Sequence, residues 1–374
     1  MKVLKIIGNI LKWLFAILLV LFAVATFMGK AYVQTLLLVL LITALIWWPK
    51  FFQKNWNKSV ALISRVAFIL ILVLLNVFAF PPESKTSIYT SEEIKSELYR
   101  IYNEQVDNWP AETKDLYIDT EYGVVHVLVC GSPDNPPLLM FHAASMGAHS
   151  WAENAGPLLT KYCIYSIDNI GEGNKSELKN AMKYPQNGQE IAALYIYLMD
   201  ELGIDKAPLL GASNGGFIAQ NIAYYYPSRV EKLALFCPMG ITPLSGASFF
   251  MLSVASMYPF QFIRNWVGNW ALGTDAYVHQ KYGKWFNCIM KGTIPSVAQP
   301  VPLSTEQKQQ MALPVLLFLG TRDALVGDAE IARNTASDYP NIQIEILESG
   351  HMIAIEHAET VNRELAAFLA KPVK

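Results

Sequence analysis

A serine hydroxyl attacks little until a neighbouring base takes its proton, so the first residues to consider are those that could activate one. In Leu209-Leu210-Gly211-Ala212-Ser213-Asn214-Gly215-Gly216, a serine stands at the junction of an apolar run and a helical pattern, framed as Gly-x-Ser-x-Gly. The glycines have a physical task. A turn tight enough to lift the serine oxygen above a sheet edge strains the serine backbone and leaves no room for neighbouring side chains. Taken alone the pattern is weak, because a glycine-rich strand-to-helix turn can hold a serine by chance. The chemistry also needs a base, and an acid to orient that base. Two stretches offer the right types. Leu317-Phe-Leu-Gly320-Thr-Arg-Asp323 sets a carboxylate just past an apolar run, and Leu347-Glu-Ser-Gly350-His351 sets a histidine just past the next.

These residues need elements that bring them together. Short β-type runs fall at 116–119, 124–130, 138–141, 163–167, 209–210, 232–236, 315–319 and 342–347. Helical patterns fit 152–159, 189–202, 217–226, 329–337 and 359–369. Alternation of this kind predicts an α/β fold with a mostly parallel, eight-stranded sheet and helices on both faces. The first two strands, joined by Glu121-Tyr-Gly123, read as an antiparallel hairpin. Strand ends on one side of such a sheet converge, so residues far apart in sequence can meet there. Between about 241 and 305 the alternation breaks into an aromatic-rich stretch, expected to form a helical cap that lines an apolar pocket.

The chain order Ser, Asp, His is that of the α/β-hydrolases, and residues from about 92 to the C-terminus resemble that family, most closely its carboxylesterase-like branch. Further stretches carry the likeness: Phe141-His142-Ala143-Ala144-Ser145 with Trp151, Asp168-Asn-Ile-Gly171-Glu-Gly-Asn-Lys-Ser176, and Tyr226-Pro227-Ser-Arg229-Val230. The resemblance implies the α/β-hydrolase fold, with Ser213 as nucleophile, His351 as general base and then acid, and Asp323 holding the imidazole. It implies an oxyanion hole made by the backbone N–H groups of Asn214 and Ala144. No cofactor and no metal are expected. One departure stands out: His142-Ala143 replaces the family's His-Gly, so the loop lacks its flexible glycine.

The remaining histidines have plainer readings. His357 is expected to cap or pack, His142 to hold its loop, His126 and His149 to be surface or packing groups, and His279 to belong to the cap. Asp168 is expected to orient the 171–173 loop and is the alternative triad acid. Cys130, Cys163, Cys237 and Cys288 show no metal-like spacing and suggest no disulfide framework.

Composition divides the chain. Residues 1–80 hold eight of the 29 Lys and Arg and none of the 31 Asp and Glu, so the remainder is acidic and carries no nucleic-acid signature. Apolar runs at 11–28, 32–48 and 62–80 each approach the roughly 20 residues that cross a bilayer. Lys2, Lys5 and Lys12 flank the first run, Lys50, Lys54 and Lys58 separate the second from the third, and Lys30 alone lies between the first two. The positive-inside rule then puts the N-terminus and second loop in the cytoplasm and everything after Pro81 on the outer face. Arg65 lies near the cytoplasmic end of the third run, where it can snorkel; without that span the following domain would be cytoplasmic. Ala23-Val-Ala25 resembles a signal-peptide cleavage site, but two more long runs follow it. The spans hold no acids and read as an anchor, not a conduit.

The expected organisation is a transmembrane anchor of about three helices at 1–80, a linker and juxtamembrane helix at 81–114, and an α/β-hydrolase domain at 115–374 with its cap at about 241–305. This describes a multi-pass cell-membrane protein with an extracytoplasmic catalytic domain. A serine nucleophile excludes the family's aspartate-based epoxide hydrolases and dehalogenases. Asp275 is the only acid between 241 and 305, which disfavours an exopeptidase that must hold a substrate amine. The expected substrate is a small apolar ester or lipid-like molecule cleaved through an acyl-enzyme. Thioester, lactone and carbon–carbon bond hydrolysis use the same triad, and a non-catalytic membrane-tethered binding protein is the competing class. No protein partner is indicated.

Overall fold

A computed structural model describes residues 87–242 and 261–372. The three apolar runs of the expected anchor lie outside the described residues. Among the described residues no helix is long and apolar enough to cross a membrane.

The order of elements follows from the alternation of apolar runs and helical patterns. Helix α1 (Glu92–Val106) starts where the Ser91 hydroxyl accepts the Ile94 N–H, with Glu92 and Glu93 favouring its positive end. It then buries Leu98, Ile101 and Tyr102, each contributing about 2 kcal/mol of apolar burial. Strands β1 (Thr113–Asp119) and β2 (Gly123–Cys130) form the antiparallel hairpin, followed by β3 (Pro137–Phe141). Two 3₁₀ turns flank the short helix α2 (Ala152–Ala155), ahead of β4 (Cys163–Ile167) and the two-residue β5 (Glu177–Leu178). Next come α3 (Gly188–Glu201), β6 (Ala207–Ala212), α4 (Asn214–Tyr225) and β7 (Val230–Phe236). The cap region supplies α5 (Gln261–Leu272) and α6 (Ala276–Gly292), then α7 (Thr305–Gln309) leads back to the sheet. The chain ends with β8 (Val315–Gly320), α8 (Ala329–Ala336), β9 (Ile342–Leu347), α9 (Ile353–Glu356) and α10 (Ala358–Ala370).

The strands form one sheet in the order β1-β2-β4-β3-β6-β7-β8-β9, parallel from β4 through β9 and antiparallel at the β1 edge. The expectation of eight strands falls one short. β5 adds a ninth by pairing antiparallel to the start of β2, and two residues are too few to show a period. Every residue of β8 and all but the last of β6 is buried, so both sheet faces are covered there.

One reading needs revision. The helix assigned to a juxtamembrane linker is part of the hydrolase core, because its apolar face packs under the cap. A Cβ on Gly292 would lie 1.8 Å from Ile94 Cγ2, so α6 touches α1 backbone to side chain. An isolated bridge pairs Tyr89 with Thr293 and extends that contact. Of the two roles open to His126 and His149, surface or packing, the structure shows the second: both are buried.

Candidate active site

Ser213 occupies the corner between β6 and α4 with φ 48° and ψ −115°, a left-handed conformation that costs a non-glycine residue about 1–2 kcal/mol. The surrounding glycines show why the corner can form. A Cβ on Gly215 would sit 2.1 Å from Phe141 O, one on Gly211 2.4 Å from Gly215 O, and one on Gly216 2.4 Å from Pro238 Cβ. The serine N–H donates to Phe236 O at 3.0 Å, which ties the corner to the neighbouring strand.

Asp323 and His351 arrive from the ends of β8 and β9. These ends press together: a Cβ on Gly320 would meet Gly350 O at 2.5 Å. Asp323 Oδ2 lies 2.8 Å from His351 Nδ1, and Asp323 Oδ1 accepts the N–H groups of Leu325 and Val326 at 2.8 and 3.0 Å. Burial alone would raise the Asp323 pKa. The adjacent imidazole and these N–H donors outweigh burial and hold it below the usual carboxylate value. Because an ionised carboxylate only accepts, Nδ1 carries the proton and Nε2 is left with its lone pair. Nε2 is buried and has no hydrogen-bond partner. Ser213 and His351 line one pocket, together with Ala143, Ser150, Trp151, Asn154, Ala212, Phe236, Met352, Ala354 and Ile355. The three residues singled out from their spacing are therefore brought to one place, while Asp168, the alternative acid, is not.

Asp168 belongs instead to a buried network. It accepts His126 Nδ1 at 2.7 Å, the Ala148 N–H at 2.6 Å and the Lys175 N–H at 3.2 Å. Burial would raise its pKa, but His126 and these donors hold it down at about 2. His126 Nε2 lies 2.8 Å from Asp115 Oδ1, and the two carboxylates raise the imidazole pKa against the effect of burial.

The loop after β3 answers the question posed by the missing glycine. Ala143 does not need a left-handed backbone; among the described residues the non-glycine positive φ values are at Ser145, Ser213 and Cys237. Ser145 (φ 60°) is fixed at both its polar backbone atoms. Its N–H donates to Glu172 Oε2 at 3.1 Å and its carbonyl accepts Trp285 Nε1–H at 3.0 Å. The His142 carbonyl accepts the Gly215 N–H at 3.1 Å, joining this loop to the elbow. Ala143 lines the pocket, whereas Ala144 is exposed on the adjoining turn. Asn214 opens α4, so its N–H has no intrahelical acceptor and is free by position for another partner.

The described part of the cap meets expectation in being helical, but among the described residues none of α5 or α6 lines this pocket. The stretch 243–260, which carries Phe249, Phe250, Tyr258 and Phe260, lies outside the described residues. Trp285 is buried against Tyr102 and His149 instead, with ring centroids 6.0 and 4.4 Å away.

Reading by spacing missed three residues here. Glu172 accepts the Asn214 side-chain amide at 2.6 Å and the Ser145 N–H at 3.1 Å. Glu356 Oε2 accepts the Ser349 hydroxyl at 2.9 Å and the Gly350 N–H at 2.8 Å, which fixes the turn that presents His351. Cys237 is buried beside Asp323 and His351, and their donor atoms lie within 4.8 Å of one another. Those donors are already committed, and burial raises the Cys237 thiol well above its ordinary pKa, so it is a protonated thiol and a poor metal ligand. All four cysteines are free.

Comparison with known proteins agrees with this fold. The model of the family described as alpha/beta hydrolase fold matches residues 136–276. The chain is similar to the uncharacterized carboxylesterase nap of Bacillus subtilis, 26% identical over 293 residues that cover 72% of this chain and 91% of the relative. It is also similar to carboxylesterase YbfK of the same organism, 25% identical over 74% of this chain and 94% of the relative. The crystal structure of naproxen esterase from B. subtilis superposes with a TM-score of 0.67 at 26% identity, covering 73% of this chain and 97% of that one. The chain has the α/β-hydrolase fold and is similar to carboxylesterases. It is a serine hydrolase.

Proposed function

We propose that this chain is a membrane-anchored esterase that cleaves carboxylic esters of apolar substrates through an acyl-enzyme on Ser213. One observation carries the reading: Ser213 and His351 share a mostly apolar pocket, with a buried, unpartnered Nε2 and an Asp323 carboxylate behind the same ring. In the first step Nε2 takes the Ser213 proton while Oγ bonds to the ester carbonyl carbon. The carbonyl oxygen becomes an oxyanion, held by the N–H groups of Asn214 and Ala144. On collapse, the Nε2 proton passes to the departing alkoxide and the acyl group stays on Oγ. Water then repeats the sequence, with Nε2 as its base, and releases the acid. Asp323 remains ionised throughout and keeps Nδ1–H directed at itself. Trp151, Phe236, Met352 and Ile355 offer the apolar lining such an acyl group requires.

The test is hydrolysis of p-nitrophenyl esters of increasing chain length by the detergent-solubilised full chain and its Ser213→Ala variant, with fluorophosphonate labelling of both. The expected result is turnover and labelling in the wild type, both abolished by the substitution. A folded wild type that neither turns over esters nor labels would overturn the enzyme reading in favour of a binding protein.

A further inference from the structure

Glu172 is a buried carboxylate that the chemistry above leaves unused. It is 1% exposed, and no Lys or Arg pairs with it among the described residues. The nearest imidazole, His142, supplies no formal charge. Its Nδ1 lies 2.8 Å from the Ala143 carbonyl, which only accepts, and its Nε2 receives the Asn169 N–H at 2.9 Å, so the ring is singly protonated. A carboxyl group in such a place needs a use that offsets its loss of water.

Its hydrogen bonds indicate the use. Oε1 accepts Asn214 Nδ2 at 2.6 Å, and Oε2 accepts the Ser145 N–H at 3.1 Å. Asn214 follows the nucleophile, and Ser145 follows Ala144. One carboxyl group thus grips, from behind, both segments assigned the oxyanion-stabilising N–H groups. Neither segment is fixed by regular structure alone: Ser145 is in a strained turn, and Asn214 is the first residue of its helix. Asn169 Nδ2 adds a longer bond to Oε1 at 3.4 Å and donates to the His142 carbonyl at 2.8 Å, closing the brace onto the same loop. Burial raises the Glu172 pKa, while the Asn214, Asn169 and Ser145 donors oppose that rise.

We infer that Glu172 is a positioning residue of the oxyanion hole, bridging the Asn214 side chain and the Ser145 backbone so that the N–H groups of Asn214 and Ala144 point at one site. The inference rests on the nucleophile reading given above.

The experiment uses the full chain in detergent with p-nitrophenyl butyrate as substrate and an alkyl trifluoromethyl ketone as an inhibitor whose serine adduct bears an oxyanion. Glu172→Gln puts an N–H donor where a carboxylate oxygen faces another donor. Asn214→Ala removes the gripped side chain and keeps the backbone N–H. Misplacing a donor should cost less than the 10²–10³-fold of removing one, so each variant is expected to lose about 10–100-fold in kcat with KM within about twofold. The ketone Ki should weaken by the same factor as kcat/KM, because both report oxyanion stabilisation. The double variant should be no worse than the poorer single, since both changes break one bridge.

A Glu172→Gln enzyme within about twofold of wild type would overturn the inference. So would a lowered kcat with an unchanged ketone Ki, or losses that multiply in the double variant. If Glu172→Gln does not fold, Asn214→Ala decides alone, and wild-type kcat there is the overturning result. The Ser213→Ala control separates the levels. Turnover surviving that change would overturn the nucleophile reading itself, whereas a dead Ser213→Ala beside a fully active Glu172→Gln would overturn only the brace.

Discussion

At the scale of single residues, the elbow depends on atoms that are missing. Gly215 has the least room of the glycines around Ser213, with Phe141 O 2.1 Å from where a Cβ would stand. That oxygen is backbone of a central strand and cannot move aside cheaply. Gly215→Ala is therefore expected to destabilise the fold by about 2 kcal/mol, roughly 5 °C in Tm, through overpacking. It should also lower esterase kcat at least ~100-fold by shifting the serine, as thermal melts and ester assays on the same preparation would show. Asp323→Asn tests a different property. The amide can still fill the space, but it presents a donor to Nδ1 and favours the tautomer with the proton on Nε2, where a base cannot use it. A fall in kcat of about 10³–10⁴-fold with Tm changed by only a few degrees is the expected result. A parallel collapse in Tm would mean that Asp323 acts mainly through its bonds to the Leu325 and Val326 N–H groups.

At the scale of elements, α1 and α6 pack together, and the buried His149 is the cost of that arrangement. Its ring packs against Tyr102 and Trp285 at centroid distances of 4.7 and 4.4 Å, and neither nitrogen has a hydrogen-bond partner. Burial drives its pKa down from 6.5 to about 3. Below pH 6.5 the unfolded chain therefore gains a proton at this imidazole that the folded chain refuses until about pH 3. Stability must fall as the pH drops through that window, by about 2 kcal/mol between pH 6.5 and 5. His126 has the opposite sign: its raised pKa stabilises the fold below pH 6.5, and that contribution is lost as pH rises through the folded value. His149→Phe keeps an aromatic ring in the same place and should flatten the acid limb, so that Tm changes less between pH 6.5 and 5 than in the wild type. The same elements show what local pattern can reveal. Strands at 163–167 and 342–347 end where their apolar runs end, and the elbow, the acid and the histidine lie at strand ends because a parallel sheet leaves them there. The role of α1 was not legible, since an amphipathic helix beside a membrane segment and one packed under a cap have the same period. Nor could spacing tie Glu172 to Asn214, 42 residues away, or His126 to two aspartates. Such partnerships exist only once the chain has folded.

At the scale of the whole molecule, the chain joins a basic, acid-free N-terminal portion to an acidic hydrolase. An esterase does not need an 80-residue, largely apolar N-terminal portion for its chemistry, and we propose that it sets where the chemistry occurs. The lysine pattern argues for three crossings, and three crossings have a consequence that one or two would share only in part. An odd number sends the hydrolase across the bilayer, whereas loss of the third span, with Arg65 inside it, returns the domain to the cytoplasm. A C-terminal epitope on the full chain expressed in a bacterial host distinguishes these cases. The chain is expected to remain in the membrane fraction through alkaline carbonate washing. Protease added to intact spheroplasts should then remove the epitope while a cytoplasmic marker survives. An epitope degraded only after lysis would leave the anchor standing and eliminate the third span. Release by carbonate would instead remove the anchor altogether, leaving an ester hydrolase whose N-terminal runs serve some other purpose. Placement on the outer face would also narrow the substrates to esters that reach the enzyme from outside the cell or from the outer leaflet. The apolar pocket beside Ser213 suits either source, and the chain-length optimum of the ester series would separate short soluble esters from lipid-like ones.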